Sequence, residues 1–107
     1  MILFFQKNTT VFAVQTSALS DENIQKLEWL FGNAKQIKTE TLEGFYTGPR
    51  REMITPWSTN AVEITQNMSI SGIERIEEFT QAVSKEVAID PMLQKMYEGL
   101  NQETYTI

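Results

Sequence analysis

A chain of 107 residues has room for one domain built around a modest core, since folding at this size removes roughly two thirds of the surface that the unfolded chain exposes. The sequence contains neither cysteine nor histidine, which excludes disulfides, thiolate metal sites, a cysteine nucleophile and the commonest general base within it. Nine basic residues against fourteen acidic ones give a net charge of -5 and disfavour nucleic acid as a partner, because that interaction depends on clustered Lys and Arg neutralising phosphates.

The N-terminal stretch MILFFQKNTTVFAVQT has no basic region before it, and polar residues interrupt its apolar run after Phe5. It reads as neither signal peptide nor membrane span, so a cytoplasmic location is the default. Ile2 to Phe5 and Val11 to Val14 predict two strands of a hairpin joined by the polar Gln6 to Thr10. Ser20 offers a capping oxygen, and Leu19 and Ile24 can staple the start of a helix at Asp21. Ile24, Leu27, Leu30 and Phe31 recur at helical spacing until Gly32-Asn33 supplies a left-handed stop. Trp29 lies on roughly the opposite side of that helix from its apolar stripe. Its ring either lies over neighbouring surface or under a loop, or is a contact point for another domain, a position where tryptophan is enriched.

Ala34 to Lys38 and Phe45 to Thr47 read as short strands around a turn at Glu43-Gly44, the second ending at Gly48-Pro49. Thr55-Pro56 places a capping hydroxyl before a proline at the first helical position. Trp57, Ala61, Ile64 and Met68 then form a narrow apolar stripe, predicting a helix from Pro56 to Met68 with Trp57 in the core. Ile73 to Val83 has no clean period of two or 3.6, and a strand is favoured there because the preceding turn is short. Asp90-Pro91 predicts a third helix with Leu93, Met96, Tyr97 and Leu100 on one face. Thr104 to Ile107 reads as an incoming strand with nothing left to pair it, so about 102–107 is expected to begin a truncated element of something longer.

Nucleotide loops, nucleophile elbows and metal-ligand spacings are absent from the sequence. Glu74, Glu77 and Glu78 lie close together, but without a histidine or metal to tune them they read as a solvated acidic face. One constellation can hold an anion: Arg50 and Arg51 precede a helix whose N-terminus, with Thr55, Ser58 and Thr59, presents unpaired N–H groups and partial positive charge. The plainer alternative is that the arginines are exposed and the three hydroxyls only cap the helix. No catalytic residue and no metal ligand is expected.

The segment Gly48 to Phe79 resembles the N-terminal-domain signature of the large, single-chain phosphoribosylformylglycinamidine synthase family. The pieces are Pro49-Arg50, Ile54-Thr55-Pro56-Trp57-Ser58-Thr59, the following helix, and Gly72-Ile73…Arg75-Ile76-Glu77. About thirty residues carry the likeness closely, and elsewhere only the order of elements agrees. The resemblance implies a ligase of purine biosynthesis that uses ATP, magnesium and glutamine, with this chain as a non-catalytic N-terminal domain, itself holding no cofactor. Its partners would be the enzyme's synthetase and glutaminase domains, without nucleic acid or membrane. The alternative is a free-standing regulatory or scaffold domain that binds an anion or homodimerises.

The expected fold class is α+β in a single domain over 1–107: a small, mainly antiparallel sheet of four to five strands with two to three helices on one face. This resembles the small-subunit dimer of the enzyme's multi-subunit form. Some relatives place a further helix between the first two strands, whereas Gln6 to Thr10 leaves room here only for a turn, so strand order is open.

Overall fold

The computed structural model describes residues 1–84 and 86–106. Strands β1 (Ile2–Lys7) and β2 (Thr10–Thr16) form the expected hairpin, with Ile2 opposite Gln15 and Lys7 opposite Thr10. Asn8 takes a φ of 55° in the turn between them, a conformation that asparagine adopts more readily than most residues. Helix α1 (Asp21–Leu30) starts where the sequence predicts, with Ser20 Oγ accepting from the Asn23 N–H. Gly32 and Asn33, both at φ 70°, end it by donating to the Trp29 and Glu28 carbonyls.

Strands β3 (Lys35–Ile37) and β4 (Leu42–Pro49), helix α2 (Pro56–Asn67), and strands β5 (Ile73–Ala82) and β6 (Gln94–Leu100) complete the order. Among the described residues the strands make one sheet, β3-β1-β2-β5-β4-β6, in which every neighbouring pair is antiparallel. The architecture is α+β, with six strands where four to five were expected.

The third helix expected after Asp90-Pro91 is strand β6. Asp90 does cap a turn, accepting from the N–H groups of Met92, Leu93 and Gln94, but the chain then extends and pairs with β4, Tyr97 opposite Tyr46 and Leu100 opposite Leu42. The helix-like spacing of Tyr97 and Leu100 has a β explanation. The register slips between Leu42 and Phe45, and Gly99 takes φ 90°, so residues three apart reach the same apolar cluster. The strand expected at Thr104 to Ile107 is a turn as far as it is described; Ile107 lies outside the described residues.

Each face of the sheet has its own core. On one face Phe5, Phe12, Val14, Ile73 and Ile76 pack with Leu27 of α1, Phe31 at its C-cap and Ala61 of α2, so both helices cover this side. On the other, Ile2, Phe4, Val11, Ala13 and Phe79 pack with Tyr46, Tyr97, Leu100 and Tyr105. Phe4 and Phe5 therefore point to opposite sides and are both fully buried, as alternation along a strand requires. A register slip at Gln15/Thr16 places Glu74 as the extra residue of β5 and turns Ile73 and Ile76 to the same side.

Gly48 lets β4 approach the second core closely: a Cβ there would lie 2.3 Å from the Phe79 ring. Gly72 serves the turn into β5 at φ 89°, where an L side chain is strained, and its carbonyl accepts from Thr16 Oγ1 and the Ser17 N–H.

Candidate functional site

The start of α2 and strand β5 bring together Thr55, Ser58, Arg75 and Glu77 of the Gly48 to Phe79 segment. Thr55 is the N-cap: its Oγ1 accepts from the Ser58 N–H, and Pro56 follows at the first helical position. Glu77 is 1% exposed and reaches across from β5, accepting from the Thr55 N–H at 3.2 Å and Oγ1 at 2.7 Å. A carboxylate of the domain itself thus sits at this helix N-terminus, where partial positive charge favours it. Ser58, also buried, accepts from the Ile76 N–H, so its hydroxyl serves as a pairing partner for β5 beyond the point where β4 leaves it.

Arg75 neutralises Glu77. The two are buried together, Nε to Oε2 at 3.0 Å, and the guanidinium also donates to the carbonyls of Arg51, at 2.7 Å, and Met53, at 2.9 Å. Its centre lies 4.4 Å from the centroid of the Tyr105 ring, and the Tyr105 hydroxyl donates to the Ala13 carbonyl. Donors and acceptors of this network are matched inside the domain, as a buried ion pair requires. Burial pushes the Tyr105 phenol well above its ordinary value, with the charge of Glu77 adding to the effect.

Arg50 and Arg51 are tied back to the protein. Arg50 donates to Glu52 at 2.6 Å and to the Pro91 carbonyl at 2.8 Å, and the Glu52 carboxyl is held below its usual range by that hydrogen bond. Arg51 donates to the Thr104 carbonyl at 2.9 Å and lies over the Tyr97 ring. Ser58 is buried behind Thr55, while Thr59 is exposed and donates to the Thr55 carbonyl. The structure thus gathers Arg51, Thr55 and Ser58 around Arg75 and Glu77, and turns Arg50 towards the loop that carries Pro91.

Arg75, Glu77 and Tyr105 were not legible as a unit from the sequence. The three glutamates do not form one solvated face: Glu77 is buried, whereas Glu74 and Glu78 are exposed. The signal was present in the spacing, because Arg75, Glu77 and Phe79 alternate onto one side of the strand while apolar Ile73 and Ile76 turn to the other.

The opposite side of β5 carries an apolar groove of about 400 Å³ between the two helices, lined by Phe12, Leu30, Phe31, Trp57, Asn60, Ala61, Ile64 and Glu78. The buried face of α2 is Ser58, Ala61 and Thr65, one position round from the stripe read in the sequence. Trp57 is consequently 40% exposed and Ile64 45% exposed, on the groove and not in the core. Small residues whose hydroxyls find partners let the helix approach the sheet there: Ser58 Oγ accepts from the Ile76 N–H of β5, and Thr65 Oγ1 donates to the Val62 carbonyl. Trp29 of α1 is 69% exposed.

Among the described residues no cluster of acidic side chains could hold a metal ion, and no helix is long and apolar enough to cross a membrane. No solved structure matches the chain. The sequence model described as formylglycinamide ribonucleotide amidotransferase N-terminal matches residues 9–101, from the β1–β2 turn through β6, and by this match over most of its length the chain belongs to that family.

Proposed function

We propose that this domain is a non-catalytic docking element of phosphoribosylformylglycinamidine synthase, the cytoplasmic ligase that converts formylglycinamide ribonucleotide to the amidine with ATP, magnesium and glutamine. The observation that carries this reading is the contrast between inward and outward chemistry. Arg75, Glu77, Thr55 and Ser58 satisfy one another inside the fold, while Trp29, Trp57 and Ile64 offer apolar surface outside it, the material of interface centres. The synthetase and glutaminase portions of the enzyme are the partners, and ATP and magnesium belong to them. The test is to mix the chain with a family enzyme expressed without its N-terminal domain. Co-elution on gel filtration is expected, with no glutamine-dependent turnover by the chain alone. Separate elution at micromolar concentrations, or turnover by the isolated chain, would sink the proposal.

A second reading assigns a substrate phosphate to Arg50, Arg51 and the α2 start with Thr55, Ser58 and Thr59. Its support is the position of both arginines on the loop that leads into that helix. An anion there must compete with the Glu77 carboxylate and with the carbonyls that the arginines already engage. Calorimetry with ribose 5-phosphate discriminates: heats that do not differ between wild type and the Arg50→Ala/Arg51→Ala variant remove this reading. A free-standing homodimer through Trp29 or an open sheet edge is the third, and a monomeric mass at all concentrations removes it.

A further inference from the structure

Glu77 and Glu78 are neighbours on β5, and their side chains leave opposite faces of the sheet. Glu77 meets a guanidinium that lies over an aromatic ring. Glu78 lies in the groove directly across from Phe12 in the β2–β5 register. There three rings form a row: Phe31 stacks on Phe12 at 4.3 Å and 4°, and Phe12 faces Trp57 at 6.2 Å and 26°. None of the three ion pairs among the described residues includes Glu78. Loss of hydration against the apolar wall, and then the charge of Glu77, push its carboxyl above the usual range. A carboxylate already stripped of part of its water gains most from a cation brought to it.

We propose that this groove receives an arginine, flanked by apolar residues, from the protein surface on which the domain docks, its guanidinium lying against Trp57 and Phe12 and paired with Glu78. The inference rests on the docking reading and adds the chemistry of the contact. Charge complementarity selects the cation, because Glu78 is the one charged residue of the lining. Planarity selects arginine over lysine, since a guanidinium can lie on a ring face while directing two N–H groups at a carboxylate. The exposed Ile64 and the ring row select a protein segment over a free small cation, because they give flanking aliphatic side chains a surface to cover. The same strand displays the completed arrangement on its other face in Arg75, Glu77 and Tyr105.

The test titrates the full chain with the blocked tripeptide acetyl-Leu-Arg-Leu-amide, observed at the two tryptophan indole N–H resonances. Saturable movement of the Trp57 signal is expected while that of Trp29 stays in place. The citrulline counterpart, equal in shape without the charge, is expected to bind about tenfold more weakly, and Glu78→Gln to weaken the arginine peptide to the same degree. Equal binding of the two peptides, no movement at Trp57, or wild-type binding by Glu78→Gln would overturn the inference. Argininamide binding as tightly as the tripeptide would overturn the assignment to a protein segment. In the co-elution experiment, Glu78→Arg is expected to abolish docking. If Glu78→Arg co-elutes like the wild type, this inference falls and the docking reading stands; if the wild type itself does not co-elute, both fall.

Discussion

The two faces of the sheet solve the burial of the same strands by different chemistry. The helix-covered face is built from phenylalanine and aliphatic side chains and leaves a groove between α1 and α2. The opposite face combines three tyrosines with a buried Arg75–Glu77 pair. Both Tyr105 and Tyr97 give their hydroxyl protons to backbone carbonyls, of Ala13 and Pro49. One face is therefore held by directional bonds whose loss is costly, and the other by packing that tolerates an open surface. Adjacent glutamates, Glu77 and Glu78, fall on the two sides of that division, and this is where the contrast can be tested most directly.

The largest effect is expected from Arg75→Ala, which leaves the Glu77 charge buried without its partner and should cost about 3–5 kcal/mol in urea unfolding. Glu78→Ala, one face away, should change stability by no more than about 0.5 kcal/mol. Equal losses would erase the distinction between the faces. Gly48→Ala forces a methyl group onto the Phe79 ring and is expected to cost about 1–3 kcal/mol; a neutral result would mean that β4 shifts freely over the tyrosine-bearing core. Thr55→Ala removes both the α2 cap and a partner of Glu77, and a loss of about 1–2 kcal/mol in thermal or urea unfolding would show that the helix start depends on the polar face.

A smaller effect concerns pH. Burial raises Tyr46 and Tyr97 above 10.0 and Tyr105 well above it. As pH rises past 10.0 the unfolded chain releases phenolic protons that the folded chain retains, so ionisation favours unfolding and stability falls through the alkaline range. Urea midpoints measured from neutral to strongly alkaline pH should show this fall, and Tyr105→Phe should flatten it. An unchanged slope in that variant would place the alkaline sensitivity elsewhere than in the tyrosine-bearing core.

Elements whose signals are local were legible in the sequence: the β1–β2 hairpin, the Ser20 and Thr55 caps, and the Gly32-Asn33 stop all stand where their residues place them. What escaped was set by partners distant in the chain. Tyr97 and Leu100 mimic a helical stripe because an irregularity in their pairing with β4 turns them to the same side, and only the partner strand defines that irregularity. Ile73 and Ile76 lost their strand period for a similar reason. Trp57 heads the apolar stripe of its helix, which predicts a core position, yet α2 buries its hydroxyl-bearing side, since Ser58 has a backbone N–H of β5 to satisfy. The segment Gly48 to Phe79 pointed to the family; the roles of its residues depended on Arg75 meeting Tyr105, thirty positions away.

The Ser58 hydroxyl has a consequence for self-association. Between Ile73 and Phe79 the outer rim of β5 has lost β4, and an uncovered rim of backbone donors and acceptors is a template for any extended chain that reaches it. The first turn of α2 acts there as a stopper. Ser58→Ala would leave the Ile76 N–H without its acceptor, and its effect should appear less as a lower melting point than as faster growth of light scattering on warming, through strand addition at a rim that the native chain keeps closed.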